Sequence, residues 1–371
     1  MNEDYTFFQS PEFQSSLAAY ERMAAGGQKA DLDAESLTDV AEYYSLMRRP
    51  EEARRCIKYA LSLYPDSIDP KIFLSREEMF RGNMSEAMRI CKSIGADDDR
   101  EVMFLRAELL LHEGKTEQAF KAFLRHYRGI EEDQEAAECA CDFADLCKDY
   151  SYDNMGMQVV SQVCVDYPDY LPGQALKAEF YSTYGDYDKA EVILKRIIRE
   201  DPFCIHYWAM LAQNYMWGNN LTDATDATDY ALAIDPDNIE ALNARACVLH
   251  ELEQYDEAHQ LFERLLKAFP NDSQMRMLDA QCAIELGLYG KAIERLELDV
   301  ISPHLHGHAL SCLAFCHYQL GQDLEYNFYR EEAEKRDDNT LYNFFPDLYP
   351  SPAKRHEQNS NDPNDDIELP F

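Results

Sequence analysis

Apolar residues recur in helical patterns, separated by short polar breaks, along most of the chain. That pattern predicts amphipathic α-helices. The breaks hold helix-ending residues at a regular interval. Pro168, Pro202, Pro236 and Pro270 are each 34 residues apart. Small residues at Ala53, Ala87, Ala119, Gly156, Ala190, Ala224, Ala258 and Ala292 follow at 34, 32, 37, 34, 34, 34 and 34 residues, with Tyr326 next in register. A period of this length marks a stacked array of helix pairs. Nine pairs are expected, starting near Ala34, Ser67, Arg100, Ala137, Leu171, Ile205, Ile239, Ser273 and Gly307. The two irregular gaps predict a lengthened turn around Gly129 to Gln134. Residues 1–33 should supply a capping helix over Pro11 to Ala25, ended by Gly26-Gly27. The array spans 34–336. Residues 337–371, with Pro346, Pro350, Pro352, Pro363 and Pro370 and a polar run from Glu357 to Asp366, have the composition of a flexible acidic tail.

Each slot of the period has a physical reason. The first helix of a pair needs a small residue where the second crosses it closely, as at Ala41, Ala107, Ala144, Ala178, Ala212, Ala246, Ala280 and Ala314. Proline ends the second helix because it cannot continue the backbone ladder. Glycine in the turns at Gly114, Gly185 and Gly287 suits the left-handed residue that closes a helix. Asp235 to Asn238 offers turn and N-cap chemistry to the helix that follows. The run Trp208-x2-Leu211-Ala212-x2-Tyr215, then Ala224, Ala231 and Pro236, resembles the tetratricopeptide repeat. Further copies read Leu242-x2-Arg245-Ala246-x2-Leu249 with Ala258, Phe262 and Pro270, and Gln174-x2-Lys177-Ala178-x2-Tyr181 with Ala190 and Pro202. Copies between Ser67 and Tyr167 are weaker. The resemblance implies an all-α, right-handed α-solenoid of about nine tandem helix pairs, used for protein binding.

Charge narrows the partners. Seventy acidic residues against 35 basic ones leave a formal net charge of -35. Nucleic acid and anionic membrane surfaces are disfavoured, and a partner with a basic flank is favoured. No apolar run is long enough to span a bilayer. The start, Met1-Asn2-Glu3-Asp4, lacks the pattern of a secretory leader, and eleven cysteines suit a reducing cytoplasm.

Candidate chemistry is sparse. Gly114-Lys115-Thr116 has the ending of a phosphate-binding loop, but Leu109 stands where its first glycine is needed, so a repeat turn is the expectation. His308, Cys312 and Cys316 share a helical face within the cluster His304, His306, His308, Cys312, Cys316 and His317 and form the one alternative metal or redox site. No catalytic residue, cofactor or metal is expected otherwise, and the chain reads as a non-enzyme. The resemblance places the binding surface on the first helices, which line the inner wall. It carries His206, Gln213, Trp217, Asn243, His250, Met277, Gln281, Phe315 and Tyr318 onto that groove, with Glu35, Glu42, Glu101, Glu108, Glu138, Asp145 and Glu179 making its front anionic. A carboxylate clamp of the kind found in chaperone-binding members is not expected, because only Asn243 fits one. The resulting expectation is an adaptor or assembly scaffold. The alternatives are a metal- or redox-linked accessory protein and a homo-oligomeric structural protein. Tyr342 to Pro346 is expected to cover the open end of the array.

Overall fold

The computed structural model describes residues 7–8, 10–27, 31–47, 49–95, 99–297, 301–336 and 340–345. The chain divides into two compact units, Met1–Asn220 and Leu221–Phe371. Among the described residues the secondary structure is helical with no strand, and no helix is long and apolar enough to cross a membrane.

The first unit opens with α1 (Pro11–Ala24), started by Ser10, whose hydroxyl accepts from the Phe13 amide at 3.2 Å. Phe13, Leu17 and Tyr20 bury α1 against α2 (Ala34–Leu46) and α3 (Pro50–Leu63). The following helices are α4 (Ile68–Phe80), α5 (Met84–Ile94), α6 (Arg100–His112), α7 (Thr116–Tyr127), α8 (Asp133–Asp149), α9 (Asp153–Asp166), α10 (Leu171–Thr183), α11 (Tyr187–Glu200) and α12 (Ile205–Trp217).

The second unit holds α13 (Leu221–Ile234), α14 (Ile239–Glu251), α15 (Tyr255–Ala268), α16 (Ser273–Glu285), α17 (Tyr289–Arg295), α18 (His306–Gln319), α19 (Asp323–Glu334) and the short α20 (Thr340–Phe344). The even-numbered helices up to α18 are the first members of pairs. Within each unit a first helix packs on its own second helix and beside the next first helix. All nine first helices among the described residues start within four residues of the expected positions. The array is an all-α solenoid of helix pairs.

The small slots behave as packing points. Ala41, Ala107, Ala144, Ala178, Ala212, Ala246, Ala280 and Ala314 have no exposed surface. The second pair uses Ser75 instead, which is equally buried and donates its hydroxyl to the Ala87 carbonyl at 2.9 Å. That substitution is one reason this copy reads weakly in the sequence.

The turns keep the register most strictly. Each of α4, α6, α8, α10, α12, α14, α16 and α18 is followed by one residue at positive φ: Gly82, Gly114, Ser151, Gly185, Asn219, Glu253, Gly287 and Gly321. The next amide donates back to the carbonyl five residues earlier, as Lys115 to Leu110 at 2.8 Å and Gln254 to Leu249 at 2.9 Å. These bonds satisfy carbonyls that the helix end would orphan. The second helices close differently. Tyr64, Tyr167, Asp201 and Phe269 take φ between -131 and -123 with ψ between 64 and 83, outside the helical region that is disfavoured for a residue preceding proline. Asn238 caps α14, accepting from the Ala241 amide at 3.0 Å.

Three features depart from expectation. The extra residues of the fourth pair lengthen α8 to 17 residues instead of lengthening the turn. The helix α17 is only 7 residues long. Arg276 accounts for its end, donating to the Arg295 and Glu294 carbonyls at 2.8 Å each, and to Pro270 at 3.0 Å. Finally, α20 lies on the tail side of the boundary expected at 337, yet Leu341 and Phe345 are buried with Leu310, Ala314 and Ala333. Residues 346–371, including the polar run and the ending Ile367 to Phe371, lie outside the described residues.

Candidate functional site

In the first unit the acid-rich face is partly neutralised. Arg54 pairs with Glu78 across α3 and α4. Arg76 Nε meets Glu108 Oε2 at 2.8 Å, Arg100 Nη2 meets Asp142 Oδ2 at 2.5 Å, and Lys148 Nζ meets Glu179 Oε1 at 2.7 Å. The last three link successive first helices, so the cations tie one pair to the next. Lys148 also holds Asp145 at 2.9 Å, and Tyr150 donates to Glu108 at 3.2 Å. Glu108, Asp145 and Glu179 are therefore structural partners. Glu35 and Glu101 stay at the surface, outside this ladder.

Negative charge does concentrate at Asp39. Burial, then repulsion from Glu35, Asp33 and Asp69, pushes its carboxyl up to about 6. An unfolded aspartate titrates near ~3.9, so the folded state binds this proton more tightly. The contribution to stability is fully present below that value and is lost as pH rises through about 6. Asp39→Asn is expected to stabilise the protein by about 1 kcal/mol at pH ~7, after allowance for solvent screening, and to change little at pH ~4. Thermal melts across that range check it; a pH-independent offset would contradict the assignment.

At the end of the first unit, α12 presents His206, Gln213 and Trp217 at the surface. Their i, i+7 and i+11 spacing puts them in one stripe of the helix. Trp217 is 44% exposed.

The second unit splits its expected set. Asn243 is half-buried on α14, as is His250, which bonds Glu251 at 3.3 Å and meets Tyr255 edge-on. Gln281 donates to His308 Nε2 at 3.1 Å. Met277 is 4% exposed and belongs to the core, so it is not available to a ligand. Phe315 is likewise withdrawn: Phe344 of α20 stacks on it at 4.5 Å, and Tyr289 and Phe345 meet its ring at 6.2 and 6.0 Å. Tyr318 remains 55% exposed beside Tyr326 and Phe345. The sequence pattern could not separate Phe315 from Tyr318, because the covering helix lies beyond the repeat.

The alternative metal set does not converge. Among the described residues no three His, Cys, Asp or Glu side chains are gathered as metal ligands. Cys312 and Cys316 have no exposed surface and sit in an apolar cluster. Burial pushes the Cys316 thiol up to about 12, opposing the thiolate that a metal needs. His306 bonds the Ile301 carbonyl at 2.8 Å, and His317 bonds Gln322 at 2.5 Å while stacking on Tyr329.

Two charged arrangements escaped the sequence reading. On α15, α16 and α17, Asp279 has no exposed surface and accepts from His259 Nδ1 at 2.5 Å and Arg295 Nε at 2.6 Å. Lys291 Nζ lies 3.3 Å from His259 Nε2 and 2.7 Å from Glu263. The second is a groove of roughly 810 Å³ between α9 and α11, floored by α10. Lys177, Lys189, Arg196 and Arg199 line it against one acid, Asp188. Both have a charged residue in the slot before the small alanine, Lys177 and Asp279 standing where Leu211 and Leu313 stand in other copies, although Arg106 and Arg245 fill that slot too.

Comparison with known proteins follows the same register. A family model described as tetratricopeptide repeat matches residues 161–213, 219–282 and 249–302. No curated protein sequence matches. Among solved structures, the chain is similar to a tetratricopeptide repeat protein from Parabacteroides merdae, at 13% identity over 66% of this chain and 98% of that one, with a TM-score of 0.48. It is similar to MamA AMB-1, at 21% identity over 44% of this chain and 97% of that one, TM-score 0.40. It is also similar to YrrB, described as a TPR protein with an unusual peptide-binding site, at 14% identity over 50% and 96%, TM-score 0.41.

Proposed function

Because this chain is a tetratricopeptide-repeat protein, we propose that it serves as an adaptor or assembly scaffold, a binder of protein segments and not a catalyst. The fold supports a role in protein–protein interaction. The observation that carries the finer reading is the stripe His206, Gln213 and Trp217 on α12. A tryptophan 44% exposed in an ordered helix is surface that a partner can bury. Tryptophan also leads the residues whose removal costs binding most. In the second unit, Asn243, His250, Gln281 and Tyr318 are the corresponding candidates.

The partner we propose is a peptide or helix segment with apolar anchors and a basic flank. The raised carboxyl of Asp39 among Asp33, Glu35 and Asp69 supports the flank, since added positive charge would relieve that repulsion. We place the protein in the cytoplasm, because none of its eleven cysteines is in a disulfide.

An array of immobilised peptides combining Lys/Arg flanks with apolar anchors tests the reading. Trp217→Ala is expected to weaken the bound peptides by at least about tenfold, the range of a hot-spot residue. If every bound peptide is held equally well by the variant, the α12 stripe is not the site.

A further inference from the structure

The groove between α9 and α11 runs against the composition of the chain. Over the whole sequence acidic residues outnumber basic ones two to one. In this groove four cations face one carboxylate. Lys189 is engaged by Asp186 at 2.6 Å and lies over the Tyr181 ring at 5.1 Å. Arg196 donates to Gln174, a neutral partner that leaves its charge uncompensated. Lys177 and Arg199 have no ion-pair partner among the described residues. The cations flank apolar surface: Val165 on α9 is 72% exposed and Val192 on α11 is 71% exposed. Two such valines facing one cleft bracketed by positive charge form an amphipathic surface, and the core requires neither of them.

We propose that this groove docks an acidic peptide segment carrying apolar side chains at alternate positions. Its apolar side chains would cover Val165 and Val192, and its carboxylates would meet Lys177, Arg196 and Arg199. The size matches. About seven extended residues span roughly 23 Å, and a helix of fourteen residues such as α11 is about 21 Å long. The chain itself contains such a sequence, Asp365-Asp366-Ile367-Glu368-Leu369-Pro370-Phe371. In it Ile367, Leu369 and Phe371 alternate with acids and a proline, and the residue before proline is biased to extended backbone. The surface lies on the second-helix side, so it is independent of the α12 stripe, and its partner carries the opposite charge.

The test uses a fluorescent peptide of residues 361–371 and the full-length chain bearing Ile367→Ser, Leu369→Ser and Phe371→Ser, so that its own copy does not compete. Saturable binding by anisotropy is expected, weakened as salt is raised. Val192→Asp and Arg199→Glu, both at exposed positions, should each weaken it about tenfold or more while leaving the thermal midpoint within a degree or two. A peptide with its three apolar residues changed to serine should lose a similar factor. Three outcomes overturn the proposal: no saturable binding, binding indifferent to both groove variants, or equal binding by the serine peptide, which would mark a bare polyanion patch. Trp217→Ala should leave this binding unchanged, so failure here and failure of the α12 reading are separate results.

Discussion

Asp279→Ala is expected to destabilise the second unit by about 3–5 kcal/mol, because it strands buried charge. Asp279 has no exposed surface and its two oxygens are used, one by His259 Nδ1 and one by Arg295 Nε. His259 is itself buried. Its Nδ1 lies 2.5 Å from Asp279 and its Nε2 3.3 Å from Lys291 Nζ, so the carboxylate also fixes the ring. Without the carboxylate, Arg295 keeps only the longer approaches of Glu263 and Glu294, at 3.8 Å each, and the imidazole loses its acceptor. Asp279→Leu is no remedy, although leucine fills the same slot at Leu211 and Leu313: the volume is right and the charges remain. Changing Asp279→Leu, His259→Leu and Arg295→Met together should return stability to within about 1 kcal/mol of the parent or above it, since a whole buried ionic set can be replaced by apolar packing. Urea unfolding followed by circular dichroism, with hydrogen exchange across α15 to α17, reads both. Equal stability of the single and triple variants would show that the network is incidental.

That network also shows where the sequence was legible. A 34-residue register with small residues and prolines at set positions placed the first helices to within four residues, because packing geometry dictates those slots. The register survived even where its glycine was missing. Ser151, Asn219 and Glu253 hold the same left-handed turn, at a cost of roughly 1 kcal/mol for a residue with a side chain, because the flanking helices are pinned by their own contacts. Surface properties were less legible. The expected anionic face depended on counting carboxylates, and counting cannot show that Arg76, Arg100 and Lys148 reach across to the neighbouring first helix. Met277 and Phe315 failed as groove residues for a related reason. One faces the core and the other is covered by α20, and a repeat template assigns side chains to faces without knowing what packs outside it. The period alone did not place the basic groove or the buried network: Lys177 and Asp279 are charged in a slot that holds leucine elsewhere, but so are Arg106 and Arg245, so the slot by itself does not single them out.

Phe180→Ala is expected to cost about 3–5 kcal/mol alone, and its coupling to residue 156 is the sharper prediction. Every other second-helix copy in the register from 53 to 292 holds alanine at this slot, and position 156 holds glycine. A Cβ there would stand 2.5 Å from Phe180 Cζ and 2.8 Å from the Ala144 carbonyl oxygen. The ring is fully buried in the cluster containing Val160 and Val163, so it has no room to swing away. Glycine is thus the consequence of a phenylalanine on α10. Gly156→Ala should cost about 1–3 kcal/mol through overpacking, somewhat reduced by the roughly 1 kcal/mol that alanine gains over glycine inside a helix. In the double variant the new methyl enters space that the ring has vacated, and the ring clash disappears while the carbonyl contact stays. The double variant should therefore be less destabilised than the sum of the singles by about 1 kcal/mol or more, where independent sites would add to within about 0.5 kcal/mol. Additive costs would mean that the Ala144 carbonyl, and not the ring, is what excludes a side chain at 156.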